Sequence, residues 1–386
     1  MSVLHESIEK PQASLRRQRL SQWLPQLQRN YQQPIIVMDK RVLQRQVARF
    51  KTALPSLEIH FAVKSNPDEK VLACLLDTGV GVEIASQKEL DLVLQLGVSA
   101  QEVFYSNPVK SPKYIAYAAS KGVQWFVVDS VDEMEKIISL APNAKLYLRI
   151  HTSNQGASIA LSAKFGARQD DAQTIIKRAV EVSADLAGVT FHVGSQCVRE
   201  ENWREGIEQA TTLFGDMKAA GLRPRLLDIG GGYPVSLDSR VPSIETIAAV
   251  INSALEALLR DFPETRLLAE PGRYLVAQAG EFICQIVAAN QRSDQHWLYL
   301  DAGFYSGLLE IKEGFQYPIT TLSDGGLQPW VLAGPTCDSI DICSQQYYLP
   351  DNLTAGEWVM ISYAGAYSNA CACEFNGFPL PKVILH

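Results

Sequence analysis

Eight short apolar runs, separated by stretches with helical periodicity, constrain this chain more than any other feature. The runs cover 59–64, 80–85, 103–106, 125–129, 145–150, 188–193, 226–229 and 266–270. Amphipathic stretches lie between them at 87–96, 113–120, 131–140, 172–182, 203–220 and 244–259. Strands that alternate with helices pair in parallel, because each helix carries the chain back over the sheet. Eight such units in roughly 220–240 residues match the size of a (βα)8 barrel. A doubly wound open sheet is the runner-up. That fold places a Gly-rich dinucleotide loop after its first strand, and Lys64-Ser65-Asn66-Pro67 is not one.

Beyond about residue 275 the texture changes. Runs at 282–289, 297–300, 329–332 and 358–363 are separated by Gly, Pro, Asn and Asp, which predicts an all-β domain. The predicted division is a barrel at 36–275 and a β domain made of 1–35 plus 276–386. The opening segment, 12–33, is polar and Gln-rich.

Composition excludes several classes. A net charge of −7 with no basic stripe argues against nucleic acid. No apolar stretch approaches the length of a membrane span, and the polar start lacks the apolar core of a signal peptide. The seven cysteines are scattered without a Cys-x-x-Cys, which fits a reducing cytoplasm better than a disulfide framework. Cys371 and Cys373 read as small apolar residues, with no histidine pair nearby to make a zinc site.

The ends of the runs carry the chemistry. The first closes on Lys64, where a barrel keeps its reactive groups. A lysine buried there loses hydration and yields the free amine that Schiff-base formation needs. After the seventh run comes Asp228-Ile229-Gly230-Gly231-Gly232, and after the eighth Glu270-Pro271-Gly272-Arg273-Tyr274. Three glycines turn backbone N–H groups toward an anion, and barrels bind phosphate between these two loops. His192 closes the sixth run, a flat ring able to stack on a planar cofactor. Glu83, Glu89 and Arg149 add charge to the same rim. If the cofactor is pyridoxal 5'-phosphate, Glu270 near its ring nitrogen favours the protonated ring, a strong electron sink suited to decarboxylation.

These motifs resemble those of the fold-type III pyridoxal-phosphate-dependent decarboxylases, and within them the ornithine decarboxylase branch most. Phe61-Ala62-Val63-Lys64-Ser65-Asn66, Leu161-Ser162-Ala163-Lys164-Phe165-Gly166 and His192-Val193-Gly194-Ser195 follow in that family's order. So do the Asp228 and Glu270 motifs, Gly334-Pro335-Thr336-Cys337-Asp338, Gly365-Ala366-Tyr367 and Phe375-Asn376-Gly377-Phe378. The resemblance implies an alanine-racemase-like barrel with a C-terminal β domain, in a homodimer with shared active sites. It implies that Lys64 carries the cofactor and His192 stacks on its ring. Glu270 would pair with the ring nitrogen, while Glu83 and Arg149 belong to the cofactor-binding set. Ser195, Gly230, Gly231, Gly232, Gly272, Arg273 and Tyr367 would hold the phosphate. Cys337 and Asp338 would enter from the partner subunit, Cys337 as proton donor and Asp338 as the seat of the substrate's distal amine. Tyr305 would line the same site.

Two positions depart from the ornithine pattern. Glu83 stands where that branch has an aspartate. After Tyr305 a Tyr-Asp pair is missing; Glu310 or Glu313 is the candidate replacement, and Lys312 beside them opposes a cationic tail. The expected activity is decarboxylation of a basic L-amino acid such as ornithine or lysine. The alternatives are a larger conjugated amino acid of an antibiotic, siderophore or polyamine route, and diaminopimelate, against which Asp338 argues. An alanine-racemase-like reaction is disfavoured by Glu270. A non-catalytic regulator is the rival of another class, opposed by the retention of Lys64, Glu270, Arg273, Cys337 and Asp338.

Overall fold

A computed structural model describes residues 3–237 and 241–386. The chain divides into two compact units, one of 43–236 and 240–275, the other of 1–42, 237–239 and 276–386.

The first unit is a closed barrel of eight parallel strands: β1 (Glu58–Ala62), β2 (Gly81–Ile84), β3 (Val103–Tyr105), β4 (Trp125–Val128), β5 (Lys145–Ile150), β6 (Asp185–Phe191), β7 (Leu226–Asp228) and β8 (Arg266–Ala269). Each coincides with an apolar run. The strands are buried on both faces, so they read as continuous apolar stretches without alternation. Phe104, Trp125, Val127, Tyr147, Ala187, Leu226 and Leu268 pack together as one buried cluster. Phe104 stacks on Trp125 with ring centres 5.2 Å apart.

Helices follow the strands, and their starts are written in the sequence. Ser86, Ser130 and Ser243 each accept a hydrogen bond from the backbone N–H three residues on, and Asp68 accepts from Lys70 and Val71. These caps fix where each strand ends and its helix begins, and so which residues sit on the rim.

The second unit is built on an antiparallel core of β9 (Gly280–Arg292), β10 (Gln295–Leu300), β11 (Leu327–Ala333), β12 (Ile342–Pro350) and β13 (Trp358–Ser362). One pair, β10 with β11, is parallel. The strand Ile35–Met38 joins this sheet, antiparallel to β9 and parallel to Lys382–Leu385. Residues 36–42, counted with the barrel from sequence, thus lie with the β unit.

The polar opening segment conceals a helix, Val3–Asn30. Leu20, Trp23, Leu24 and Leu27 recur at helical spacing. They pack on Val37, Ile283, Trp358 and Met360 of the sheet.

Candidate active site

The barrel's reactive groups stand at or just beyond the carboxyl ends of its strands. Lys64 lies in a short 3-10 turn, Val63–Ser65, that follows β1. Its ammonium meets Glu83 Oε2 at 2.5 Å. The lysine side chain is 43% exposed, whereas Glu83 is 1% exposed. The buried ammonium expected from sequence is therefore corrected: the Lys64 side chain is half open to solvent and its ammonium is paired with the Glu83 carboxylate. The second oxygen of Glu83 is buried without a hydrogen-bond partner. Close by, Glu89 accepts from the Ala85 N–H at 2.6 Å. Burial first, then the charge of Glu83, pushes the Glu89 carboxyl up to about 7.

His192 follows β6. Its Nδ1 accepts the Gly194 N–H at 3.0 Å. Protonating that nitrogen would break the bond. Burial, joined by the charges of Arg149 and Lys64, holds the imidazole down to about 3. The ring is neutral at any physiological pH. Arg149, on β5, has its guanidinium 5.4 Å from the Phe165 ring centre, and burial lowers its pKa.

Glu270 follows β8, and its side chain is reached by a residue that follows β3. The Ser106 hydroxyl, after β3, donates to its Oε1 and lies 2.7 Å from the Tyr147 hydroxyl on β5. Asp228 ends the neighbouring strand, β7, and the Glu270 N–H donates to the Gly230 carbonyl just beyond it at 2.9 Å. Burial raises the Glu270 carboxyl well above its usual range, and the neighbouring charges of Asp228 and Glu83 add to that. Ser106, Tyr147 and Asp228 had no assigned role on sequence. The signal was available for two of them, a polar residue ending or directly following a barrel strand.

The triple glycine passes close to these groups. A side chain on Gly231 would meet the Glu270 carbonyl at 2.7 Å and His192 Nε2 at 3.3 Å. Gly232 has φ +96°, and a Cβ there would sit 2.4 Å from the Gly194 carbonyl. Arg273 Nη2 donates to Ser195 Oγ at 3.5 Å, and Gly272 approaches Ser65 closely. Ser195, the three glycines, Gly272 and Arg273 all belong to the barrel unit.

The β unit carries a second cluster. The Tyr305 hydroxyl donates to Asp338 Oδ2 at 2.6 Å, and the Ile340 N–H donates to Oδ1 at 3.0 Å. These bonds hold the Asp338 carboxyl below its usual range, with a smaller contribution from Lys312. The bond to Asp338 pushes the Tyr305 phenol up to about 12. Its ring stacks on Phe375 at 4.3 Å. Cys337 is exposed, and its thiol donates to Asn376 Oδ1 at 3.2 Å. Buried Asp341 ties the loop together, accepting from Phe304 N, Thr336 N and Thr336 Oγ1. Tyr367 has φ +60°, a left-handed strain typical of functional positions.

The two acidic replacements proposed after Tyr305 separate here. Glu310 is buried and accepts the Tyr317 hydroxyl, so its charge is committed inside the unit. Glu313 is exposed at the end of the short helix Leu309–Lys312. Lys312 donates to the Ile340 carbonyl at 2.9 Å and the Ile342 carbonyl at 3.4 Å, beside the loop that holds Asp338.

The pyridoxal-dependent decarboxylase pyridoxal-binding domain matches residues 40–277. The chain belongs to the pyridoxal-dependent decarboxylase family. It is 34% identical to an ornithine decarboxylase of Schizosaccharomyces pombe, over 90% of this chain and 82% of that protein. It is equally identical, 34%, to an antizyme inhibitor 2 of Xenopus laevis, over 89% of this chain and 78% of that protein. Its fold superposes on the Paramecium bursaria Chlorella virus arginine decarboxylase bound to agmatine with a TM-score of 0.90, at 27% identity over 96% of this chain and all of that one. The protein is a pyridoxal-phosphate-dependent amino-acid decarboxylase.

The barrel's residues fit that cofactor. The unpartnered oxygen of Glu83 seeks a donor, the space over Gly231 admits no Cβ, and Glu270 brings a buried carboxyl to the same place. When bound, pyridoxal phosphate supplies an electron-withdrawing ring that accepts the electron pair released as the substrate's carboxylate departs. Among the described residues no helix is long and apolar enough to cross a membrane.

Proposed function

We propose that the protein removes carbon dioxide from an L-amino acid with a basic side chain, ornithine or lysine, to give the amine. The observation that carries this reading is the Tyr305–Asp338 pair. Asp338 is held ionised by two donors and keeps lone pairs for a substrate ammonium. Lys64 is the group that links covalently to the cofactor, and Glu83 is positioned to hold its ammonium until then. Neutral His192 offers a flat face to the ring. Glu270 pairs with the ring nitrogen. Ser195, Gly230, Gly231, Gly232, Gly272, Arg273 and Tyr367 take the phosphate, with Arg149 bringing a second cation to the barrel end. The Cys337 thiol delivers the proton to the carbon that lost its carboxylate. We read the barrel unit as the cofactor-binding part. The β unit then completes a partner subunit's site, which requires a homodimer.

A second reading has one observation in its favour. Lys312 sets a cation near Asp338 while Glu310 is turned inward to Tyr317, which supports a longer or conjugated substrate over free ornithine. The retained groups around Lys64 and Glu270 speak against a non-catalytic regulator.

The test is product mass after incubating pyridoxal-phosphate-loaded protein with ornithine, lysine, arginine, 2,4-diaminobutyrate and diaminopimelate, with Lys64→Ala as control. Loss of carbon dioxide from ornithine or lysine, absent in K64A, is the expected result. No product from any of them, in protein that retains its cofactor, would overturn the basic-tail assignment.

A further inference from the structure

Two carboxyl groups meet at the carboxyl end of the barrel, and of these only Glu270 has a role toward the cofactor. The other, Asp228, is fully buried. It accepts the Thr190 hydroxyl at 2.7 Å and the Gly230 N–H at 2.9 Å. It ends the strand that pairs directly with the one leading to Glu270, and the Glu270 N–H donates to the Gly230 carbonyl two residues past Asp228 at 2.9 Å. Two carboxyl groups set side by side in a protein interior do not both ionise readily. Asp228 already receives two donors that stabilise its charge. Glu270 receives the Ser106 hydroxyl, which Tyr147 braces from behind. This distribution of donors places the proton on Glu270 and the negative charge on Asp228.

The surroundings act on the pair from every side. Glu83 faces Glu270 and repels its ionised form, while Lys64 favours that form. Arg149 lies within reach of both carboxyls and of Glu83. His60 faces Asp228, as do Tyr147 and Tyr233. Burial outweighs these opposing charges and disfavours a second negative charge beside Asp228.

We infer that Asp228 is a positioning residue that keeps Glu270 protonated until the cofactor's ring nitrogen arrives, so that cofactor binding is coupled to the loss of one proton from Glu270. This rests on Glu270 being the partner of that nitrogen. The O–H bond of Glu270 breaks as the ring settles. If the nitrogen arrives unprotonated, it takes the proton. If it arrives protonated, the proton goes to solvent. Either way Glu270 ends as a carboxylate accepting the ring N–H, with Asp228 still charged behind it.

The probe is 4'-deoxypyridoxine 5'-phosphate, which keeps ring nitrogen and phosphate but lacks the aldehyde that would react with Lys64. Calorimetric titration of the cofactor-free protein in two buffers of different ionisation enthalpy counts protons exchanged on binding. Wild type should release about one proton more than Asp228→Asn, because asparagine keeps an acceptor for the Gly230 N–H and can donate its NH2 to the Thr190 hydroxyl oxygen, but drops the charge that holds the proton on Glu270. Equal counts would overturn the inference. Infrared difference spectra of wild type give a measurement independent of that variant's folding. A protonated-carboxyl C=O band should vanish when the analogue binds and be absent in Glu270→Gln; no loss in wild type also overturns the inference. Should E270Q bind the analogue as wild type does, the placement of Glu270 at the ring nitrogen fails, and the inference with it.

Discussion

Replacing His192 by phenylalanine isolates how the barrel treats an ionisable ring. An unfolded histidine titrates near 6.5, whereas the folded ring is held down to about 3, chiefly by burial. Between those values the unfolded chain binds the proton that the folded chain refuses. Stability from this residue is therefore complete above pH 6.5 and is lost as pH falls toward 3. Each pH unit in the window costs about 1.4 kcal/mol, so acidification from 6.5 to 5 removes about 2 kcal/mol. The ring keeps an edge open to solvent, which trims the loss to roughly 1–2 kcal/mol. His192→Phe keeps a flat face and deletes the titration. It forfeits the Gly194 N–H acceptor, a pH-independent loss of about 1 kcal/mol. Urea unfolding of the cofactor-free protein at pH 7.5 and 5 is the assay. Wild type should start more stable and converge on the variant, or fall below it, as pH drops. Parallel loss of stability in both proteins would refute the claim that the fold holds this imidazole neutral.

Two other substitutions probe the two clusters. Gly232→Ala forces a Cβ toward the Gly194 carbonyl at a left-handed position, so cofactor affinity should fall by roughly tenfold or more while far-ultraviolet circular dichroism stays that of wild type; fluorescence titration with pyridoxal phosphate measures it, and unaltered affinity refutes a phosphate role for the loop. Lys312→Ala removes the cation beside Asp338, so KM for a diamino substrate should fall by roughly two- to fivefold with kcat little changed; an unmoved KM would show that Lys312 does not act on the substrate's tail.

The barrel was legible because its strands are buried on both faces. A strand of that kind announces itself as an apolar run, and all eight coincide with runs seen in the sequence. The β unit was less legible. In Ile342–Pro350 the alternation of buried and exposed residues breaks at Ser344, Gln345 and Gln346, none of which is buried, so its apolar signal is diluted. Ile35–Met38 sits far from its partners in the sequence, and nothing local says which sheet a lone strand joins. The first helix escaped notice because its apolar stripe, Leu20 to Leu27, is embedded in polar residues that lower the average. Within the site, motif order located Lys64, His192 and Glu270, but not their partners. Ser106 acts through a bond between strands far apart in the chain, and only barrel closure brings those ends together, while Asp228 lies on the strand next to the one that leads to Glu270. Burial of Lys64 was misjudged for a related reason. The turn after β1 lifts it past the strand end, toward solvent and onto Glu83.

The contrast between the two clusters says where such an enzyme can change without losing its chemistry. Around Glu270, ionisation depends on the neighbours: Asp228 and Glu83 disfavour it, Lys64 favours it, and the Ser106 hydroxyl, next to Tyr147, donates to the carboxyl. In so dry a place one substitution alters the proton inventory of the whole set. Around Asp338 the groups are open to solvent, their bonds are local, and Lys312 is tethered by backbone carbonyls that any sequence supplies. On the proposed reading, a change there shifts which tail is accepted and leaves the carboxyl network of the barrel untouched. The departures from the ornithine pattern follow that division: at Glu83 the carboxylate is kept and lengthened by one methylene, whereas after Tyr305 the charge pattern itself is rewritten. On the proposed reading, the carboxyl network of the barrel carries the reaction class, and the segment 306–315 carries the choice of substrate.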